Sequence, residues 1–128
     1  MNAFGMDLSQ WLWFICSLIT VESNGRVDAV GDGGKAIGIL QIHNCVVADV
    51  NRIYGTSYTP EDRGNQDKSL DIAYLYLKHW GKSYERKTGK QPTTETLARI
   101  WNGGPNGWNK TSTEKYWAKV NNQLQATK

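Results

Sequence analysis

The run Trp11–Val21, WLWFICSLITV, is the only strongly apolar stretch of the chain, and a carboxylate, Glu22, follows it at once. A stretch of this length falls short of the ~20 apolar residues that span a bilayer. No basic residue precedes it and no small-residue cleavage site follows at a usable place, so it does not read as a secretory signal. Cleavage there would also fray the segment that carries Glu22. The run reads instead as a buried core helix, which places Glu22 beside an apolar wall. That setting raises a carboxyl pKa and lets an acid donate a proton near neutral pH. The competing reading of Glu22 is a solvated charge at a helix end, the ordinary fate of a glutamate.

The punctuation of the sequence predicts the other elements. The first helix runs from about Leu8 to Ser23, with Asp7 as cap, Gln10 at capping-box spacing and Asn24-Gly25 as the stop. Val27 to Ile42 alternates loop and short extended pieces, with Asp32-Gly33-Gly34-Lys35 turning between two strands. From Asn44 to Tyr54 the apolar residues Val46, Val47, Val50, Ile53 and Tyr54 fall at helical spacing, and Gly55 ends the segment. Thr59-Pro60-Glu61-Asp62 marks a short turn with a cap residue, a first-position proline and acids behind it. A long helix is predicted from Gln66 to Arg86, with Leu70, Ala73, Tyr74, Leu77, Trp80 and Tyr84 on one face. Another spans Thr94 to Trp101 and stops at Gly103-Gly104-Pro105. The last begins near Ser112, where Thr111 and Glu114 have capping-box spacing. The pattern is mostly helical with one small β-hairpin near Glu22. No repeat, low-complexity tract or linker interrupts it, so residues 1–128 read as one domain.

Composition narrows the chemistry. A net charge of +3 is mildly basic and suits work on an anionic polymer. It is too weak to argue for nucleic acid, and no basic stripe is present. Lys78, Lys82, Arg86, Lys87 and Lys90 read as a solvated face. Six Trp and six Tyr supply the core and leave one to three rings for stacking on sugars in a groove. Cys16 and Cys45 read as free, buried thiols, although a disulfide is geometrically open to them. Neither joins His43 or His79 in a zinc-like spacing. Gly31-Asp32-Gly33-Gly34 lacks the Lys-Ser/Thr of a phosphate loop, and no HExxH occurs. No metal and no organic cofactor is expected.

Three motifs in order carry a family resemblance. Glu22-Ser23 is followed by Ala36-Ile37-Gly38-Ile39-Leu40-Gln41-Ile42. Trp101-Asn102-Gly103-Gly104-Pro105 comes next, and Thr113-Glu114-Lys115-Tyr116-Trp117 lies near the end. Over nearly the whole chain this resembles the lysozyme superfamily, in particular goose-type lysozymes and the soluble lytic transglycosylase catalytic domain. Their motifs are Glu-Ser, then Gly-Leu-Met-Gln, then an aromatic with Asn-x-Gly-Pro, then a late Thr and aromatic. The resemblance implies an α+β lysozyme-like fold, two helical halves flanking a sugar-binding cleft. It also implies a muramidase that cuts the β-1,4 bond between N-acetylmuramic acid and N-acetylglucosamine in peptidoglycan.

Under that resemblance Glu22 matches the invariant proton donor and Ser23 the residue after it. Asp32 falls where goose-type enzymes carry a Gly-Asp, which makes it the candidate for positioning water. By its own pattern Asp32 is equally a hairpin-turn residue. Where those enzymes have a second Asp, this chain has His43, an imidazole able to orient water or a sugar hydroxyl. Gln41 matches the motif glutamine, whose amide can both donate to and accept from sugar groups. Trp101 keeps the stacking face of the family tyrosine and loses its hydroxyl. Asn102 reads as an N-acetyl partner or a helix cap, and Tyr116 as a sugar or acid contact or a core ring.

With Asp32 as base the reaction is an inverting hydrolysis. Without it the chain is a lytic transglycosylase that forms 1,6-anhydro products. A glycan-binding or virion module without activity is the reading from another class. The expected partner is the glycan strand of peptidoglycan, engaged by a monomer without nucleic acid or stable membrane insertion. The lack of an export signal suits a phage-encoded, endolysin-like enzyme released from the host cytoplasm through a membrane lesion, a domain excised from a larger protein, or an effector exported by another route.

Overall fold

The computed structural model describes residues 4–127. Helices α1 (Leu8–Ser23), α2 (Asn44–Tyr54), α3 (Gln66–Thr88), α4 (Thr94–Gly103) and α5 (Glu114–Thr127) account for most of them. One two-stranded antiparallel sheet, β1 (Val30–Gly31) and β2 (Ala36–Ile37), completes an α+β, mostly helical fold. Its register pairs Val30 with Ile37 and Gly31 with Ala36. The chain forms two compact units. The first is Glu22–Tyr76 and the second comprises the described parts of 1–21 and 77–128. The boundary falls inside α1, after Val21, and inside α3, after Tyr76.

Local chemistry explains the element ends. At the start of α1, Gln10 N–H donates to Asp7 Oδ1 at 2.8 Å and Asp7 N–H donates to Gln10 Oε1 at 2.9 Å, a reciprocal capping box. Asn24 and Gly25 both take positive φ, at 55° and 84°, and turn the chain out of the helix. Gly55 ends α2 in the left-handed region, at φ 66°. Asn51 then closes the turn beyond it, with its Nδ2 on Tyr58 O at 2.9 Å and its Oδ1 accepting from Tyr58 N–H at 3.0 Å. At Thr59-Pro60 a 3-10 turn, Pro60–Gly64, opens with Thr59 N–H donating to Asp62 Oδ2 at 2.8 Å.

Three sequence expectations need correction. The segment before α5 is a 3-10 turn, Thr111–Thr113, and the α-helix starts at Glu114 rather than near Ser112. Thr113 is the buried residue of that turn, and its hydroxyl meets Gly107 O at 2.8 Å and Lys110 O at 2.9 Å. The apolar run is buried on one face only. Phe14, Ile15 and Leu18 lie in the core, whereas Leu12 and Trp13 remain 48% and 46% exposed. Cys16 and Cys45 are free thiols but exposed, not buried. Cys16 shares the outward face of α1 with Leu12 and Trp13, and Cys45 occupies the first turn of α2.

In the first unit Ala36, Ile39, Leu40, Ile42, Val47, Val50 and Ile72 form the buried apolar set. In the second, α4 packs on α5 and on the 3-10 turn Gly107–Asn109. Leu77, Leu97, Ile100 and Val120 are fully buried there. Gly107 permits the close approach, since a Cβ on it would lie 2.0 Å from Arg99 O. Among the described residues no helix is long and apolar enough to cross a membrane.

Candidate active site

Five of the eight candidate residues, Glu22, Ser23, Asp32, Gln41 and His43, lie in the first unit. Glu22 occupies the last turn of α1 and is half-buried. Its neighbour Ser23 is buried and donates from Oγ to Ile39 O at 2.7 Å. The same oxygen accepts from Gly25 N–H at 3.2 Å. One hydroxyl therefore ties the end of the Glu22 helix to the segment 37–42 and to the turn leaving the helix.

The segment 37–42 is a tight loop. Ile37 and Ile42 bond each other through both backbone pairs, Ile37 N–H to Ile42 O at 3.2 Å and Ile42 N–H to Ile37 O at 3.0 Å. Gly38 sits at φ 86°, and a Cβ there would lie 2.0 Å from Arg63 O. Both the conformation and the space demand glycine. Gln41 takes φ 51°, a costly region for a long side chain. Its amide stabilises the arrangement. Nε2 donates to Ala29 O and to Gly38 O, each at 3.1 Å, and Oε1 lies over Gly31. The donors of Gln41 are thus committed to backbone carbonyls of the hairpin and the loop.

Asp32 follows β1 and also has positive φ, at 49°. Gly33 and Gly34 continue the turn at 65° and 96°. This backbone delivers the Asp32 carboxylate to His43, with Asp32 Oδ2 2.9 Å from His43 Nε2. His43 is the residue that caps α2, in extended conformation, and its carbonyl accepts from Val46 N–H at 3.1 Å. The side chains are 69% and 41% exposed, so solvent reaches the pair. A carboxylate bonded to an imidazole at an accessible position has the chemistry to orient and deprotonate a water.

Arg63 is the residue that sequence reasoning missed. It is buried, and its guanidinium serves three carbonyls: Pro60 O from Nε at 2.7 Å, and Lys35 O at 3.0 Å and Ile42 O at 2.9 Å from Nη1. Its own carbonyl accepts from the buried Ser69 hydroxyl at 2.8 Å. Arg63 thus holds Lys35, at the end of the hairpin turn, and Ile42, which precedes His43. The visible signal was the Thr59-Pro60-Glu61-Asp62 cap pattern. An arginine behind it looks like a surface charge until the loops it bonds are known.

The other three candidates belong to the second unit. Trp101 and Asn102 lie in the last turn of α4, Trp101 half-buried and Asn102 exposed. Tyr116 is half-buried in the first turn of α5. Arg99 organises this region, donating to Thr113 Oγ1 at 2.8 Å and to Lys110 O at 2.8 Å, and pairing with Glu95 at 2.9 Å. Among the described residues no group of three or more His, Cys, Asp or Glu is arranged to hold a metal.

No known family model matches the sequence. A segment of 40 residues is 45% identical to Lysozyme 1 of Crassostrea virginica. That match covers 31% of this chain and 22% of the oyster protein. The chain thus spans about a fifth of the length of the curated relative it matches. The similarity supports a lysozyme-like relationship at that coarse level.

Proposed function

We propose that this chain is a peptidoglycan-cleaving muramidase, a hydrolase of the β-1,4 bond between N-acetylmuramic acid and N-acetylglucosamine. The observation that carries the reading is the Asp32–His43 contact at 2.9 Å, in the same unit as a half-buried glutamate at a helix end. The partial similarity to an oyster lysozyme adds to it.

In this mechanism Glu22 is the general acid. It gives its proton to the glycosidic oxygen as the bond to the anomeric carbon breaks and positive charge develops on the sugar ring. Asp32 takes a proton from water, and the resulting hydroxide equivalent attacks the opposite face, inverting the anomeric centre. His43 holds the Asp32 carboxylate in place and shares the water. Ser23, Gln41 and Arg63 are positioning residues: they fix the backbone from which Glu22, Asp32 and His43 project. Trp101, Asn102 and Tyr116, in the second unit, are candidates for sugar contact through the family resemblance alone, with Trp101 as a stacking face.

The test is release of soluble fragments from purified peptidoglycan by the wild-type protein and by Glu22→Gln. The reading requires a loss of at least about 100-fold in the variant, the lower range for a general acid, with the melting temperature unchanged. Equal release by the two proteins removes Glu22 from the chemistry. No release by either, with binding to the polymer retained, makes the chain a glycan-binding module.

A further inference from the structure

A pocket of about 490 Å³ opens in the second unit, lined in part by two tryptophans, Trp13 of α1 and Trp117 of α5. All of its lining residues belong to that unit. We propose that it is a separate binding site for a neutral N-acetyl sugar, sharing no lining residue with Glu22, Asp32 and His43, to which cleavage is assigned. Its volume is in the range of small-molecule sites, roughly 300–1,000 Å³.

The lining gives the ligand class. Trp117, Asn121 and Gln125 follow one another at intervals of four residues and share one stripe of α5. Gln10 and Trp13 form a shorter stripe of the same kind on α1. Gln91, Thr93 and Thr94 come from the segment that opens α4. The floor is apolar and buried, from Phe4, Met6 and Leu124. None of the described lining residues carries a charge, in a chain with 15 Lys and Arg and 12 Asp and Glu.

The amides are held before any ligand arrives. Gln10 Oε1 accepts from Asp7 N–H at 2.9 Å, and Gln91 Nε2 donates to Phe4 O at 2.8 Å. Gln125 Nε2 donates to Asn121 Oδ1 at 3.3 Å. Each bond uses one position of a group that offers two donors and an acceptor with two lone pairs. A pyranose ring has an apolar C–H face for an indole and a rim of hydroxyls that both donate and accept. An N-acetyl group adds an amide that pairs with side-chain amides. Uncharged, bifunctional side chains around two indoles match that pattern. A proline-rich peptide also docks on aromatic grooves. It presents mainly carbonyl acceptors, so it leaves the acceptors of this lining unmatched. The ligand class follows from the pocket, while its occurrence within peptidoglycan strands rests on the proposed function.

The experiment follows tryptophan indole N–H resonances by NMR in 15N-labelled Glu22→Gln protein, titrated with N,N′-diacetylchitobiose. Trp13→Phe and Trp117→Phe supply the assignments. The proposal expects saturable shifts of the Trp13 and Trp117 resonances. It also expects Asn121→Ala/Gln125→Ala to raise the midpoint of those shifts at least tenfold without lowering the melting temperature. Gln125 is exposed and that variant should fold. Stationary Trp13 and Trp117 resonances, or shifts produced by a proline-rich peptide and not by the sugar, would overturn it. A protein that cleaves peptidoglycan while those two resonances stay still would lose this site and keep the muramidase reading. Moving resonances without cleavage would do the reverse.

Discussion

Asp32 and His43, eleven positions apart in the chain, meet at 2.9 Å because a left-handed turn carries one to the residue that caps the next helix. An exposed pair of this kind contributes at most about 1 kcal/mol to stability, so its value lies in placing the two groups. Asp32→Asn should therefore leave the melting temperature within a few degrees of wild type. It should lower hydrolysis by about 10²–10⁴, the span of a general base. His43→Ala should cost less, about tenfold, since it removes an orienting partner and leaves the carboxylate. Hydrolysis rates on purified peptidoglycan, measured beside thermal unfolding, check both.

Arg63 predicts a different signature. Replacing it with Met keeps the bulk and removes the donor shared by Pro60 O, Lys35 O and Ile42 O, of which Ile42 O keeps Ile37 N–H. A hydrogen bond to a charged group contributes about 1.5–3 kcal/mol. The variant should lose roughly 2–4 kcal/mol by denaturant unfolding, and activity should fall as well, because Ile42 adjoins His43. Full activity at wild-type stability would remove Arg63 from the positioning role.

Gly38 and Gln41 both have positive φ in one loop, and substitution separates their demands. Gly38→Ala places a Cβ against Arg63 O in a region that alanine avoids. It should cost about 2–4 kcal/mol. Gln41→Gly loses the bonds to Ala29 O and Gly38 O but relieves the backbone, whereas Gln41→Ala loses the bonds and keeps the strain. The alanine variant should be the less stable by about 1 kcal/mol. Chemical denaturation of the three proteins decides the order.

Much of this was legible in the chain because it is local. The Asp7–Gln10 box, the Asn24-Gly25 exit, the hairpin turn at Asp32-Gly33-Gly34 and the stop at Gly55 all use residues within a few positions of one another. What was not legible depends on partners far along the sequence. Arg63 reaches Lys35 and Ile42, 28 and 21 residues away, and no local pattern announces that. Ser23 gives a similar case, a helix-end serine whose bond is to Ile39. The outward turn of Cys16, Leu12 and Trp13 was hidden because the run Trp11–Val21 is apolar all round, so periodicity does not mark its buried face.

Tyr76 makes stability sensitive to alkali. Burial pushes its hydroxyl above the usual 10.0, and the neighbouring Asp49 and Cys45 push it further. The native state keeps that proton after the unfolded chain has released it. The stabilisation is therefore complete below pH 10 and is lost as pH rises through the raised value, by about 1.4 kcal/mol per pH unit for one proton. Tyr54 and Tyr58 are raised in the same direction by burial. Tyr76→Phe should flatten the decline of melting temperature above pH 10 without abolishing it. An unchanged slope would contradict the assignment to Tyr76.

Mass spectrometry of the soluble products from purified peptidoglycan, with Glu22→Gln as control, tests the central claim most directly. Hydrolysis by Glu22 with Asp32 and His43 predicts fragments ending in a reducing N-acetylmuramic acid, absent with the variant. Fragments lighter by one water, in the 1,6-anhydro form, would show that the sugar's own hydroxyl attacks and would contradict the role given to Asp32.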